Sequence, residues 1–158
     1  MGIYSGAEIF QIAMELEDAG RVFYETLAEK SKDEELSDLC WLLSEQETVH
    51  YRMFKKMSDE LAQRPASRPP TWDEMHFAHI LIEERVLSDS QTAEDAARSG
   101  DVVGILDTAI QLEKDSILFY NELLGEVDEK DIPAVKEVID EEKHHYRNLV
   151  EAKRAFKR

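Results

Sequence analysis

The sequence predicts an all-α protein: an antiparallel four-helix bundle built from two helical hairpins, with a long crossover containing short helices. Three observations carry this. Apolar residues (42%) recur at helical spacing in four long segments, only six Gly and four Pro interrupt 158 residues, and helix-start signals precede most of the segments. The length is that of one ordinary domain, taken as 1–158, and is enough for a real core.

The expected long helices are 6–30, 33–63, 102–125 and 132–156. Ser5 with Glu8, Ser31 with Glu34, Thr71 with Glu74 and Thr92 with Asp95 each have capping-box spacing, in which a hydroxyl and a carboxylate satisfy orphan N–H groups. Asp101 after Gly100 is a candidate cap for the third helix, and Pro133 suits the first turn of the fourth. The run from Arg64 to Pro70 breaks the chain, and shorter helices are expected near Trp72–Val86 and Ala93–Arg98. This gives hairpin 1 at about 6–63, a crossover at about 64–100 and hairpin 2 at about 101–158. Short links within each pair make the hairpins antiparallel.

Lys and Arg number 19 against 35 Asp and Glu, for a net charge of −16. An acidic surface repels nucleic acid and anionic membranes, so neither is an expected partner. Cys40 is the sole cysteine, which excludes an intrachain disulfide and a Cys-only metal site, and reads as a small buried hydrophobe. No apolar run is long enough for a membrane span and no signal region is legible, so a cytoplasmic protein is expected.

An internal repeat underlies the four helices. Ala13–Glu17, Phe23-Tyr24 and Leu27 match Ala109–Glu113, Phe119-Tyr120 and Leu123 at an offset of 96. Glu47-Thr-Val-His50-Tyr51-Arg52 matches Glu142-Lys-His-His145-Tyr146-Arg147 at an offset of 95. Two copies of one hairpin, facing each other, would gather their polar groups about a pseudo-twofold axis.

Those polar groups are Glu17, Glu47, His50, Glu113, Glu142 and His145. Residues three or four apart share a helix face, and each glutamate lies on an apolar stripe: Ala13 and Tyr24 flank Glu17, and Leu43 and Phe54 flank Glu47. Ala109 and Tyr120 flank Glu113, and Val138 and Leu149 flank Glu142. An ionised carboxylate in a dry core costs several kcal/mol unless paired or bound to metal. Two divalent cations would relieve both desolvation and mutual repulsion, and each Glu-x-x-His would aim two ligands at one centre. The competing register, Glu141 with His144, shares its face with Glu137 and Asn148 and reads as solvated.

Tyr24 and Tyr120 lie two turns beyond the lone glutamates and are candidates to support the ligands, with core packing as the alternative. Tyr51 and Tyr146 follow the histidines. His76 and His79 fall on the crossover, where a surface role is expected, and Trp41 and Trp72 read as packing residues. Gly20 and Ser116, one turn after the lone glutamates, are small: they leave room for oxygen or peroxide at the metals, and a close helix contact explains Gly20 equally well.

This ligand pattern and the Glu-x6-Tyr repeat resemble the rubrerythrin-like branch of the ferritin-like superfamily across nearly the whole chain. The resemblance implies a ferritin-like bundle with two iron ions on Glu17, Glu47, His50, Glu113, Glu142 and His145, and reaction with peroxide or dioxygen. Manganese or zinc would also suit such donors. Rubrerythrins typically append an iron-binding domain with four cysteines; with only Cys40 here, electrons are expected from a separate donor protein. They also typically carry a further glutamate where this chain has Ser116, a departure that bears on peroxidase turnover rather than on metal binding. The expected function is a di-iron carboxylate oxidoreductase. The alternatives are an iron-storage or ferroxidase protein and a non-catalytic helical interaction protein stabilised by metal. Apolar crossover residues such as Phe77, Ile80 and Leu81 lead us to expect a homodimer.

Overall fold

A computed structural model describes residues 6–63, 94–95, 98–125 and 127–157. Within them the chain forms α1 (Gly6–Lys30), α2 (Glu34–Ala62), α3 (Val102–Leu123) and α4 (Ile132–Phe156). The bounds match expectation to within a residue or two; α3 stops at Leu123 because Leu124 and Gly125 turn. The expected helices of the crossover, with His76, His79 and Trp72, lie outside the described residues or nearly so, as does the Ser5–Glu8 cap.

Only residues 31–33 separate α1 from α2, so the chain must reverse there. The cap differs from the expected Ser31 box. Asp33 is the N-cap residue, and its carboxylate accepts the Leu36 N–H at 2.8 Å. Ser31 serves the turn instead: its hydroxyl accepts from the Asp33 N–H at 3.2 Å and donates to the Asp33 carbonyl. Asp is the better acceptor, and two positions nearer the helix it reaches the first orphan N–H groups directly. Asp101 caps α3 as expected, accepting from Gly104 N–H at 3.0 Å. Gly100 before it takes φ +67°, a left-handed turn that favours glycine. Asp131 makes no side-chain cap bond at α4, where Pro133 in the first turn needs no donor partner.

α1 packs along α2 and α3 along α4, while α1 faces α3 and α2 faces α4 across the bundle. The cross-bundle pairs run antiparallel: Tyr24 meets Glu113 while Tyr120 meets Glu17, and Lys130 meets Glu60 while Glu142 meets His50. The pseudo-twofold expected from the repeat is therefore present in the packing.

The core divides into two apolar blocks. One joins Phe23 and Leu27 with Leu36, Leu43, Leu106 and Leu149; the other joins Phe10, Phe54, Tyr120, Val135 and Val138. In each helix the sequence that links the blocks carries the buried Glu or Glu-x-x-His. The polar belt thus lies between two apolar layers along the bundle axis.

Candidate metal centre

Each helix brings its polar group to this belt. Glu17 comes from α1, Glu47 and His50 from α2, Glu113 from α3, and Glu142 and His145 from α4. All six are buried, with exposures of 0–5%. The i, i+3 spacing within α2 and α4 puts carboxylate and imidazole on the same turn. The two imidazoles face one another, ring centroids 5.8 Å apart and planes inclined by 20°.

Two overlapping groups of donor atoms result. Glu17, Glu47, His50 and Glu142 form one; Glu47, Glu113, Glu142 and His145 form the other, and the atoms of each group lie within 4.8 Å of one another. Glu47 and Glu142 belong to both, whereas Glu17 and Glu113 belong to one each. Sequence alone could not make this division; it follows from the antiparallel packing of α2 on α4.

Contacts within the cluster are short but poorly aligned for hydrogen bonds. His50 Nδ1 lies 2.9 Å from Glu142 Oε1 and 3.4 Å from Glu17 Oε2. His145 Nδ1 lies 3.4–3.6 Å from Glu47, Glu113 and Glu142. No hydrogen bond satisfies Glu17 Oε2, Glu47 Oε1, either Glu142 oxygen, His50 Nδ1 or either His145 nitrogen. Orphaned polar atoms in a dry core are costly. Here they are nitrogen and oxygen donors from α1, α2 and α4, with Glu113 of α3 beside them, and a pair of divalent cations fits the set.

The electrostatics of the cation-free cluster are strained in the same sense. Burial, reinforced by the charges of Glu47 and Glu142, holds the Glu17 carboxyl well above its usual range. Burial and Glu142 push Glu113 up to about 8. For Glu142, burial and Glu47 act upward, yet the close Glu113, His145 and His50 side chains prevail and lower it. Burial opposes a charged His50, but Glu142 and Glu17 outweigh it and push the imidazole up to about 12. His145 is raised for like reasons, by Glu113, Glu142 and Glu47. A divalent cation would compete with protons for Glu17, Glu113, His50 and His145.

Tyr24 and Tyr120 support the carboxylates. The Tyr24 hydroxyl donates to Glu113 Oε1, and Tyr120 donates to Glu17 Oε1, each crossing between α1 and α3. Burial, with the facing carboxylate next, raises both phenols, which keeps them protonated and donating. Tyr51 and Tyr146 pack partly buried against the two apolar blocks.

Glu141 was missed. Its register is half-solvated, as its neighbours imply, but its Oε2 lies 2.5 Å from His50 Nε2. The available signal was its place next to Glu142, which leaves it on the flank of α4 turned towards α2. His144 stays exposed, beside Arg147. Cys40 is buried, as expected, and burial pushes its thiol up to about 12. Trp41, expected in packing, is 41% exposed.

Gly20 is where α1 yields to the cluster. A Cβ there would stand 2.6 Å from Glu47 Oε2, so the missing side chain is space that the carboxylate uses. Beside it a small cleft, with a volume of about 10 Å³, is lined by Gly20, Tyr24, Glu47, Glu113 and Ser116.

No described helix is long and apolar enough to cross a membrane. No match is found among curated proteins. A solved structure from Thermotoga maritima, described as a ferritin-like diiron-carboxylate protein, aligns with a TM-score of 0.66 at 30% identity, covering 96% of this chain and 95% of that one. The rubrerythrin family model matches residues 8–98, which include Glu17, Glu47 and His50; the repeat and the structural likeness extend over the remaining three residues. On these grounds the chain belongs to the rubrerythrin family.

Proposed function

We propose that this chain is a di-iron carboxylate oxidoreductase that reacts with peroxide or dioxygen and draws electrons from a separate donor. The observation that carries the reading is the convergence of carboxylate and imidazole donors on six buried side chains, five of which carry orphaned polar atoms. Glu17 with His50, and Glu113 with His145, would each hold one iron. Glu47 and Glu142, common to both groups, would hold the pair together. Bound as a pair, the ferrous ions would supply two electrons to one oxidant.

The chain's own residues do the rest. Tyr24 and Tyr120 fix one oxygen of Glu113 and Glu17, leaving the other free to face the centre. The two apolar blocks exclude water above and below. The cleft at Gly20 and Ser116 gives a small oxidant a side entry next to Glu47 and Glu113.

The test is anaerobic loading with Fe(II), metal analysis, and stopped-flow absorption on mixing with peroxide or oxygen. Two irons per chain and rapid oxidation are expected, with binding abolished in E142A. Inertness towards both oxidants ends the oxidoreductase reading. Many irons per chain in a large assembly would point to storage, and metal-dependent stability without turnover to a non-catalytic role.

A further inference from the structure

The ligands repeat across the pseudo-twofold, but their surroundings do not. His50 Nε2 meets Glu141 Oε2 at 2.5 Å. A carboxylate only accepts, so this bond holds the hydrogen on Nε2 and turns the Nδ1 lone pair to the cluster. The offset of 95 places Gln46, a neutral amide, at the equivalent position in the first half. Among the described residues nothing is hydrogen-bonded to His145 Nε2, although that atom is buried.

A second, independent difference points the same way. The cleft is lined by the shared Glu47 and by Glu113, which belongs only to the group that contains His145, whereas Glu17, the matching carboxylate of the other group, does not line it. One half of the centre is closed and anchored; the other is open and unanchored.

The geometry points to two unequal cation positions: the one at Glu17 and His50, set by Glu141 as a positioning residue, retains its divalent cation, and the one at Glu113 and His145 exchanges its cation and meets small anions through the cleft. This rests on the proposed reading of the cluster as a two-cation centre. A carboxylate behind a metal-bound imidazole fixes the ring and strengthens it as a ligand, and removing such a partner typically costs about 10–100-fold in metal affinity. Such unequal positions would load in order and would accept two different metals.

Titration of the full chain with Co(II), followed by visible absorption, tests this. Wild type should bind in two resolved steps. E141Q should weaken the tighter step by roughly 10–100-fold and leave the weaker one in place, whereas Q46E should tighten the weaker step. Azide should perturb the spectrum of the two-cobalt form and not that of the one-cobalt form. Glu141 is half-exposed, so E141Q should fold, which circular dichroism verifies. Two steps of equal affinity, equal weakening of both by E141Q, or azide binding to the one-cobalt form would overturn the inequality while leaving the two-cation centre intact. No stoichiometric cobalt at all would overturn both.

Discussion

Tyr24 and Glu113 lie 89 residues apart in the chain, yet their hydroxyl and carboxylate are joined by a hydrogen bond across the centre of the bundle. Tyr120 and Glu17 form the mirror pair. Each tyrosine supports the carboxylate of the other half, so neither hairpin can present its lone glutamate correctly without its partner. Y24F and Y120F should therefore destabilise the cation-free protein by similar amounts. Removing the hydroxyl leaves a buried carboxyl oxygen without its partner, which costs about 1–3 kcal/mol and sets the scale. Urea unfolding measures it, and a loss confined to one of the two variants would contradict the paired role.

Gly20 predicts a separation of stability from binding. Alanine favours a helix interior by about 1 kcal/mol over glycine. Its Cβ, however, would stand 2.6 Å from Glu47 Oε2, and the flexible carboxylate end must move. G20A should leave the cation-free melting temperature unchanged or higher, and shrink the rise in melting temperature produced by a divalent cation. An undiminished rise would show that the space at Gly20 is not needed by Glu47.

The helices and the six buried residues were legible because two signals coincided. Apolar stripes marked the inward faces, and the 95- and 96-residue offsets chose Glu142 and His145 over Glu141 and His144. What sequence could not show is contact between halves. That Glu47 and Glu142 are shared, that Tyr24 reaches Glu113 rather than its own helix's Glu17, and that Glu141 reaches His50 all follow from the antiparallel docking of the hairpins. Gly20 was read as room for a small ligand or as a close helix contact, and the space is taken by Glu47 from the neighbouring helix.

The α1–α2 turn shows how near neighbours compete for one role. Ser31 and Asp33 both have cap chemistry, and the capping-box spacing from Ser31 to Glu34 favoured the serine. In the structure Asp33 accepts the Leu36 N–H, and Ser31 braces Asp33. D33A should cost about 1 kcal/mol, the usual loss for a removed N-cap. S31A should cost less, because its partners belong to a half-exposed turn where water competes. Thermal unfolding of the two variants decides the order.

Stability should respond to pH in opposite ways with and without cation. Glu113, raised from 4.5 to about 8, binds a proton in the folded state that the unfolded chain releases. His50, raised from 6.5 to about 12, does the same above its ordinary range. Folded protein thus holds more protons than unfolded protein between pH 5 and 8, so the cation-free form should lose stability as pH rises through that window. Glu142 is lowered and acts oppositely, but its change falls below 4.5, outside the window. Cations must displace the same protons, so their stabilising effect should grow from pH 5 to 8. Melting temperatures across this range, with and without Co(II), measure both slopes. A cation-free protein that gains stability towards pH 8 would mean that the buried carboxylates are not held protonated as the cluster requires.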